Sequence, residues 1–185
     1  MKNNITLIGM PAAGKSTAGV LLAKRLGYSF VDVDLIIQQA EKKRLKEIIR
    51  EKGMDGFLAV ENRINAQIEA DHAVIAPGGS VIYGKEAMEH LRAISLIVYL
   101  KISYEELRRR LGDVVDRGVA LREGMTLRDL YLERIPYFER YADLTVDEEG
   151  KELGDVVDEL RALMEARGFV LGAGTGKEKG DGQDL

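Results

Sequence analysis

The chain has 185 residues, 45% of them apolar and 31% charged, and a formal net charge of −4 at pH 7. That suffices for one domain with a substantial core, expected over residues 1–171, and excludes two of ordinary size. The acidic balance excludes a general attraction for nucleic acid or an anionic membrane, and the absence of cysteine excludes disulfides, a thiolate nucleophile and a Cys-held metal.

The β-branched, apolar run Ile5–Ile8 reads as a first strand, and Thr17–Leu26, closed by Gly27, as a helix. Met1 to Asn4 leave no room for a cleavable leader before that strand, and no apolar run is long enough to span a bilayer, so a cytoplasmic protein is expected. Between strand and helix stands Gly9-Met-Pro-Ala-Ala-Gly-Lys-Ser16, which fits G-x-x-x-x-G-K followed by Ser or Thr, the phosphate-binding loop of nucleotide kinases and NTPases. Glycines at 9 and 14 let the backbone curl, so that N–H groups across Gly9, Ala12, Ala13 and Gly14 join the helix N-terminus in a concave anion site. Lys15 is expected to reach the β- and γ-phosphates of ATP, Ser16 to ligate Mg²⁺, and Thr17 to back the loop.

Tyr28–Asp34 reads as a second strand whose alternation puts Asp32 and Asp34 on one side. Asp32 is the better placed to hold Mg²⁺ through water, and Asp34 to accept a hydrogen bond from a substrate hydroxyl and draw off its proton. The plain alternative is a strand that ends in two solvated aspartates. Residues 35–52 read as one helix ended by Gly53, with Leu35, Ile36, Ile37, Leu45, Ile48 and Ile49 on its apolar face. Residues 54–70 give another. His72–Ala76 is a short buried strand that leads into Pro77-Gly-Gly-Ser80.

A helix across 84–92 precedes Ser95–Leu100, the most continuous apolar run and so the expected central strand. Helix 103–111 carries Arg108, Arg109 and Arg110. Arg109 or Arg110 suits the face of an adenine, while a charged helix surface explains the triplet equally well. Residues 112–124 lose periodicity and gain glycines, so a mobile lid is expected there, with Arg117 closing over the γ-phosphate and Arg122 as its rival. A helix at 126–140, a strand at 143–146 and a helix at about 152–167 follow. The stretch 172–185, rich in Gly, Lys and Asp, is expected to be a disordered tail. His72 and His90 lack metal-ligand spacing and receive no role. Strands alternating with helices imply an α/β fold with a parallel sheet covered on both faces, and ligands gather beyond the C-terminal ends of such strands.

With these residues in view, the chain resembles the shikimate kinase family, small P-loop kinases of the nucleoside-monophosphate-kinase-like group. The likeness runs over about residues 3–168. It is carried by Gly9 to Thr17, Asp32-Val-Asp34, Phe57 and Glu61, Pro77-Gly-Gly79, Arg117 and Glu133-Arg-Ile-Pro-Tyr-Phe138. The resemblance implies a three-layer α/β/α P-loop kinase fold with a five-stranded parallel sheet in the order 2-3-1-4-5. It also implies transfer of the ATP γ-phosphate to a hydroxyl of shikimate with Mg²⁺ as cofactor. Asp34 then contacts the acceptor hydroxyls, Gly78 and Gly79 let backbone approach the ring, Arg134 pairs with the acceptor carboxylate, and Arg117 closes the lid.

Two departures are specific. Leu58 and Ala59 stand where the family has two arginines, the first a second carboxylate-binding residue, and Pro77 stands where it has a first glycine. Both bear on the acceptor and leave the ATP side intact. Another small hydroxy acid or polyol is the alternative acceptor, and a nucleotide-binding regulator without turnover is the alternative class. Arg63, four residues beyond Ala59, is a candidate replacement cation, against a solvated helix charge. A monomer acting on a small molecule, with no nucleic acid or membrane partner, is expected.

Overall fold

In the computed structural model, residues 2–112, 122 and 124–169 are described. Strand β1 (Asn4–Ile8) lies at the middle of a five-stranded parallel sheet. It pairs with β3 (Ala73–Ala76) on one side and β4 (Ser95–Lys101) on the other. β2 (Ser29–Asp32) and β5 (Leu144–Asp147) are the edges, giving the order β2-β3-β1-β4-β5. The order agrees with the expectation, except that the longest apolar run, β4, is one place off centre. Every residue of β1 and β3 is buried, which requires cover on both faces of the sheet.

Two polar members of this core on β1, Asn4 and Thr6, are paired. Thr6 and Ser95 share a 2.7 Å hydrogen bond across β1 and β4. The Asn4 amide donates to the carbonyls of Ala70 and Ile94 and accepts from the N–H of Ala73, so burial leaves none of its groups orphaned.

Helix α1 (Lys15–Leu26) follows β1 and ends at Gly27, whose φ of 71° is the left-handed cap expected from the sequence. The second strand is shorter than its sequence suggests. β2 stops at Asp32, and α2 (Val33–Glu41) starts at once with Asp32 as its N-cap, accepting from the N–H groups of Asp34 and Leu35. Asp32 and Asp34 therefore sit on a helix entry and do not alternate along a strand; the capping bonds available to Asp32 prevail over continued extension.

The expected helix 35–52 is also divided. α2 closes at Lys42, left-handed at φ 54°, and α3 (Leu45–Asn65) begins after it as two helical stretches broken at Gly53, whose φ of 69° and ψ of −179° give the stop expected there. The remaining helices are α4 (Lys85–Ile94), α5 (Tyr104–Leu111), α6 (Leu127–Tyr141) and α7 (Leu153–Glu165). A single 3₁₀ turn, Val81–Tyr83, precedes α4. In α6 the buried residues Leu130, Arg134 and Phe138 repeat every fourth position and so share one face. Phe138 stacks on Tyr99 of β4 at 5.1 Å, which fixes the helix rotation that turns Arg134 inward. No helix among the described residues is long and apolar enough to cross a membrane. Arg117, most of the expected lid and the expected tail lie outside the described residues.

Candidate active site

The loop between β1 and α1 has the backbone that its glycines promise. Gly9 has φ 152°, and a Cβ there would stand 2.6 Å from the carbonyl oxygen of Leu100. Gly14 is left-handed at φ 76°. Ala12 is left-handed too, at φ 62°, a costly state for a residue with a side chain. Its carbonyl is held by Arg110 Nη1 at 3.3 Å. Lys15 folds its ammonium onto the loop, donating to the carbonyls of Gly9 at 3.0 Å and Met10 at 2.9 Å.

These residues form one wall of a cavity of about 840 Å³, within the range usual for small-molecule sites. Pro11, Ala12, Gly14, Lys15, Ser16 and Thr17 line the loop side. Asp34, Gln38, Arg44, Phe57, Glu61, Pro77, Gly78, Gly79, Ser80 and Arg134 line the other. The loop at Pro77–Ser80 is where the two sides meet. A Cβ on Gly79 would stand 3.1 Å from both Pro11 Cδ and Arg134 Nη1, and 3.3 Å from the Gly9 carbonyl. A side chain there would crowd the phosphate loop and Arg134, which would have to give by a few tenths of an ångström.

The charges are arranged against their own solvation. Burial lowers the Lys15 ammonium to about 8, although Asp34 opposes the shift. Burial raises the Asp34 carboxyl and the charge of Asp32 raises it further, while Lys15 pulls the other way. Glu61 is 2% exposed, and its Oε1 has no hydrogen-bond partner. Burial pushes its carboxyl up to about 7, with Asp34 adding to the rise and Ser80, Arg134 and Lys15 opposing it. Arg134 is 3% exposed. It donates through Nε to the Tyr83 hydroxyl at 3.3 Å and lies 5.4 Å over that ring.

The structure separates the arginines that the sequence left equivalent. Arg109 is exposed and forks onto Glu106 at 2.6 and 2.7 Å, outside the cavity lining. Arg110 also lies outside the lining and bonds Glu106, at 2.6 Å, but it turns inward to Ala12 and to the buried Glu148, at 2.7 Å. Arg63 pairs with Glu41 at 3.0 Å and is exposed, which matches the solvated alternative and not the replacement cation. Leu58 does not line the main cavity. It forms a neighbouring cleft with Met54, Tyr83, Arg122, Met125, Leu130, Glu133 and Arg134. Sequence reasoning gave Glu61 no role, yet a signal was there: it is an acid set among the buried Phe57, Val60 and Ile64 of α3. Tyr83 carried no comparable mark. Among the described residues there is no cluster of three or more acids and histidines that could hold a metal ion.

Comparison with known proteins agrees with this geometry. A sequence model of the family described as Shikimate kinase matches residues 11–165. The shikimate kinase of Moorella thermoacetica is 35% identical over 170 residues, covering 90% of this chain and 96% of that protein. That of Trichormus variabilis is 38% identical over 146 residues, covering 77% and 80%. Among solved structures, shikimate kinase from Acinetobacter baumannii in complex with shikimate superposes with a TM-score of 0.80 at 27% identity, covering 90% of this chain and 95% of that one.

Proposed function

The chain belongs to the shikimate kinase family, and from that premise we propose how its cavity transfers the γ-phosphate of ATP to a hydroxyl of shikimate. The carrying observation is that Lys15, Asp34 and Arg134 line a single cavity, so a phosphate clamp, a base and a carboxylate receptor face one space.

On the donor side, the loop N–H groups and the start of α1 receive the phosphates, and Lys15 trades its two carbonyl partners for phosphate oxygens. Arg110, tied to the Ala12 carbonyl, holds the strained loop and is the arginine we place beside the nucleotide. On the acceptor side, Arg134 is buried without a carboxylate partner among the described residues. That leaves it free to pair with the shikimate carboxylate, a charge-assisted contact whose geometry fixes the ring. Asp34 accepts a hydrogen bond from the reacting hydroxyl. Its raised pKa makes it a stronger base than a solvated aspartate. Gly78 and Gly79 let backbone approach the ring.

The all-oxygen set of the Ser16 hydroxyl and the Asp32 carboxylate suits Mg²⁺. When bound, Mg²⁺ neutralises charge on the phosphates. We take the chain to work as a monomer in the cytoplasm, and on small molecules, since a net charge of −4 gives no general attraction for nucleic acid or an anionic membrane.

A coupled assay of ADP release over a panel of shikimate, other hydroxy acids and polyols tests the proposal. Turnover with shikimate at the highest kcat/KM is expected. Preference for another acceptor reassigns the substrate, and ATP binding without turnover on any of them removes the kinase reading.

A further inference from the structure

Arg134 borders two spaces. It lines the main cavity beside Asp34 and Gly79, and it also lines the cleft formed by Leu58, Met125 and Leu130. Arg122 lines that same cleft. Both guanidinium groups lie over the ring of Tyr83, Arg134 at 5.4 Å and Arg122 at 5.9 Å from its centroid. Arg122 is held there through the backbone. The N–H of Met125 donates to its carbonyl at 3.0 Å, Gly124 is left-handed at φ 78°, and Thr126 caps α6 directly afterwards. The turn that leads into α6, the helix that carries Arg134, thus holds the backbone of Arg122.

Two cations that border one cleft form a receptor for an anion placed between them. Among the described residues, neither forms an ion pair. The acid that lines the cleft, Glu133, takes the Tyr83 hydroxyl on its Oε1 at 2.5 Å. The walls contributed by Met54, Leu58, Met125 and Leu130 are apolar, which strengthens any charge pairing made there. The face of Tyr83 steadies both planar guanidinium groups, as aromatic faces do.

We propose that Arg122 is the second acceptor-binding cation, closing with Arg134 on the acceptor's carboxylate across Tyr83, and so sets the preference for an anionic acceptor. This rests on the assignment of shikimate as acceptor and adds to it a residue from outside the main cavity. A phosphate-facing role for Arg122 predicts a different outcome, because the ATP dependence would then carry the effect.

The test is steady-state kinetics of wild type, Arg122→Gln and Arg122→Lys with shikimate and with its uncharged carboxamide, each variant checked for an unchanged melting temperature. For Arg122→Gln, the KM for shikimate is expected to rise about tenfold, the size of one charged hydrogen bond at a partly solvated site. The KM values for the carboxamide and for ATP should stay within about twofold, and Arg122→Lys should recover part of the loss. An equal rise for both acceptors, a rise in the KM for ATP alone, or no change for shikimate overturns the inference while the wild type still turns over shikimate. A wild type inactive on shikimate overturns the function reading itself, and this inference with it.

Discussion

Oε1 of Glu61 stands 2.5 Å from the point that a Cβ on Gly78 would occupy, and Oδ1 of Asp34 stands 3.3 Å from it. Gly78 is thus the spacer between two carboxylates on the acceptor wall, and it is needed for space, since its φ is not in the left-handed range. Gly78→Ala must displace the Glu61 carboxyl along the cavity wall, and a buried acid has to find a new place there. We expect a loss of about 1–3 kcal/mol in stability and a fall in kcat/KM for shikimate of about tenfold or more, with ATP affinity held within about twofold. Urea unfolding, acceptor titration and nucleotide binding on the one variant check this. A weakened ATP site would mean that the wall at Gly78 serves both substrates.

The Glu61 carboxyl gives a pH dependence of defined sign. Its folded pKa is about 7 against an ordinary 4.5, because burial disfavours the charge. Between those values the folded chain keeps a proton that the unfolded chain has released, so stability falls as pH rises through this window and the full penalty is present above pH 7. The shift corresponds to an order of magnitude of 3 kcal/mol. Glu61→Gln imitates the protonated acid and should abolish this slope. Unfolding free energies at pH 5 and pH 8 for both proteins isolate the effect, since the other groups cancel in the difference. A gap between the two proteins that does not widen toward pH 8 would refute it.

The halves of the site differ in how openly the sequence declares them. The phosphate loop is contiguous, so Gly9, Gly14 and Lys15 stand together in the chain as they do in space; the alternation of elements declared a parallel sheet, and its strand order came only from the resemblance to the shikimate kinase family. The acceptor wall draws on α2, α3, the Pro77 loop and α6, and only folding joins Asp34 to Glu61 and Arg134. Local capping was the other hidden factor. An aspartate that ends a strand and one that starts a helix look alike in sequence, and Asp32 is both. The break at Lys42 had no glycine to announce it, whereas Gly53 did announce the break that divides α3.

Lys15 should take up protons when nucleotide binds. Burial sets its ammonium at about 8, so near that pH about half of the molecules are neutral, and phosphate oxygens favour the charged form. Calorimetric titration with ATP in two buffers of different ionisation enthalpy should show an uptake of about half a proton at pH 8, fading toward pH 6.5. Lys15→Met should remove the uptake and abolish phosphoryl transfer, while the Asp34 and Arg134 side of the cavity still binds shikimate. An uptake that persists in Lys15→Met would assign the proton to another group.

Asp32 offers a separation of stability from chemistry at a single atom pair. One carboxylate oxygen, Oδ1, accepts from the N–H groups of Asp34 at 3.0 Å and Leu35 at 3.3 Å and so caps α2. The charge it carries is what a cation near Ser16 would use. Asparagine caps a helix as well as aspartate does, but it is neutral, and alanine does neither. Asp32→Asn should therefore melt close to wild type while needing a several-fold higher Mg²⁺ concentration for half-maximal turnover. Asp32→Ala should share that requirement and lose about 1 kcal/mol besides. Because Asp34 starts from the helix turn that Asp32 caps, Asp32→Ala should also raise the KM for shikimate, whereas Asp32→Asn should not. Equal Mg²⁺ dependence in wild type and Asp32→Asn would leave Asp32 the cap of α2 and nothing more, and the cation would have to rely on Ser16 and the phosphates.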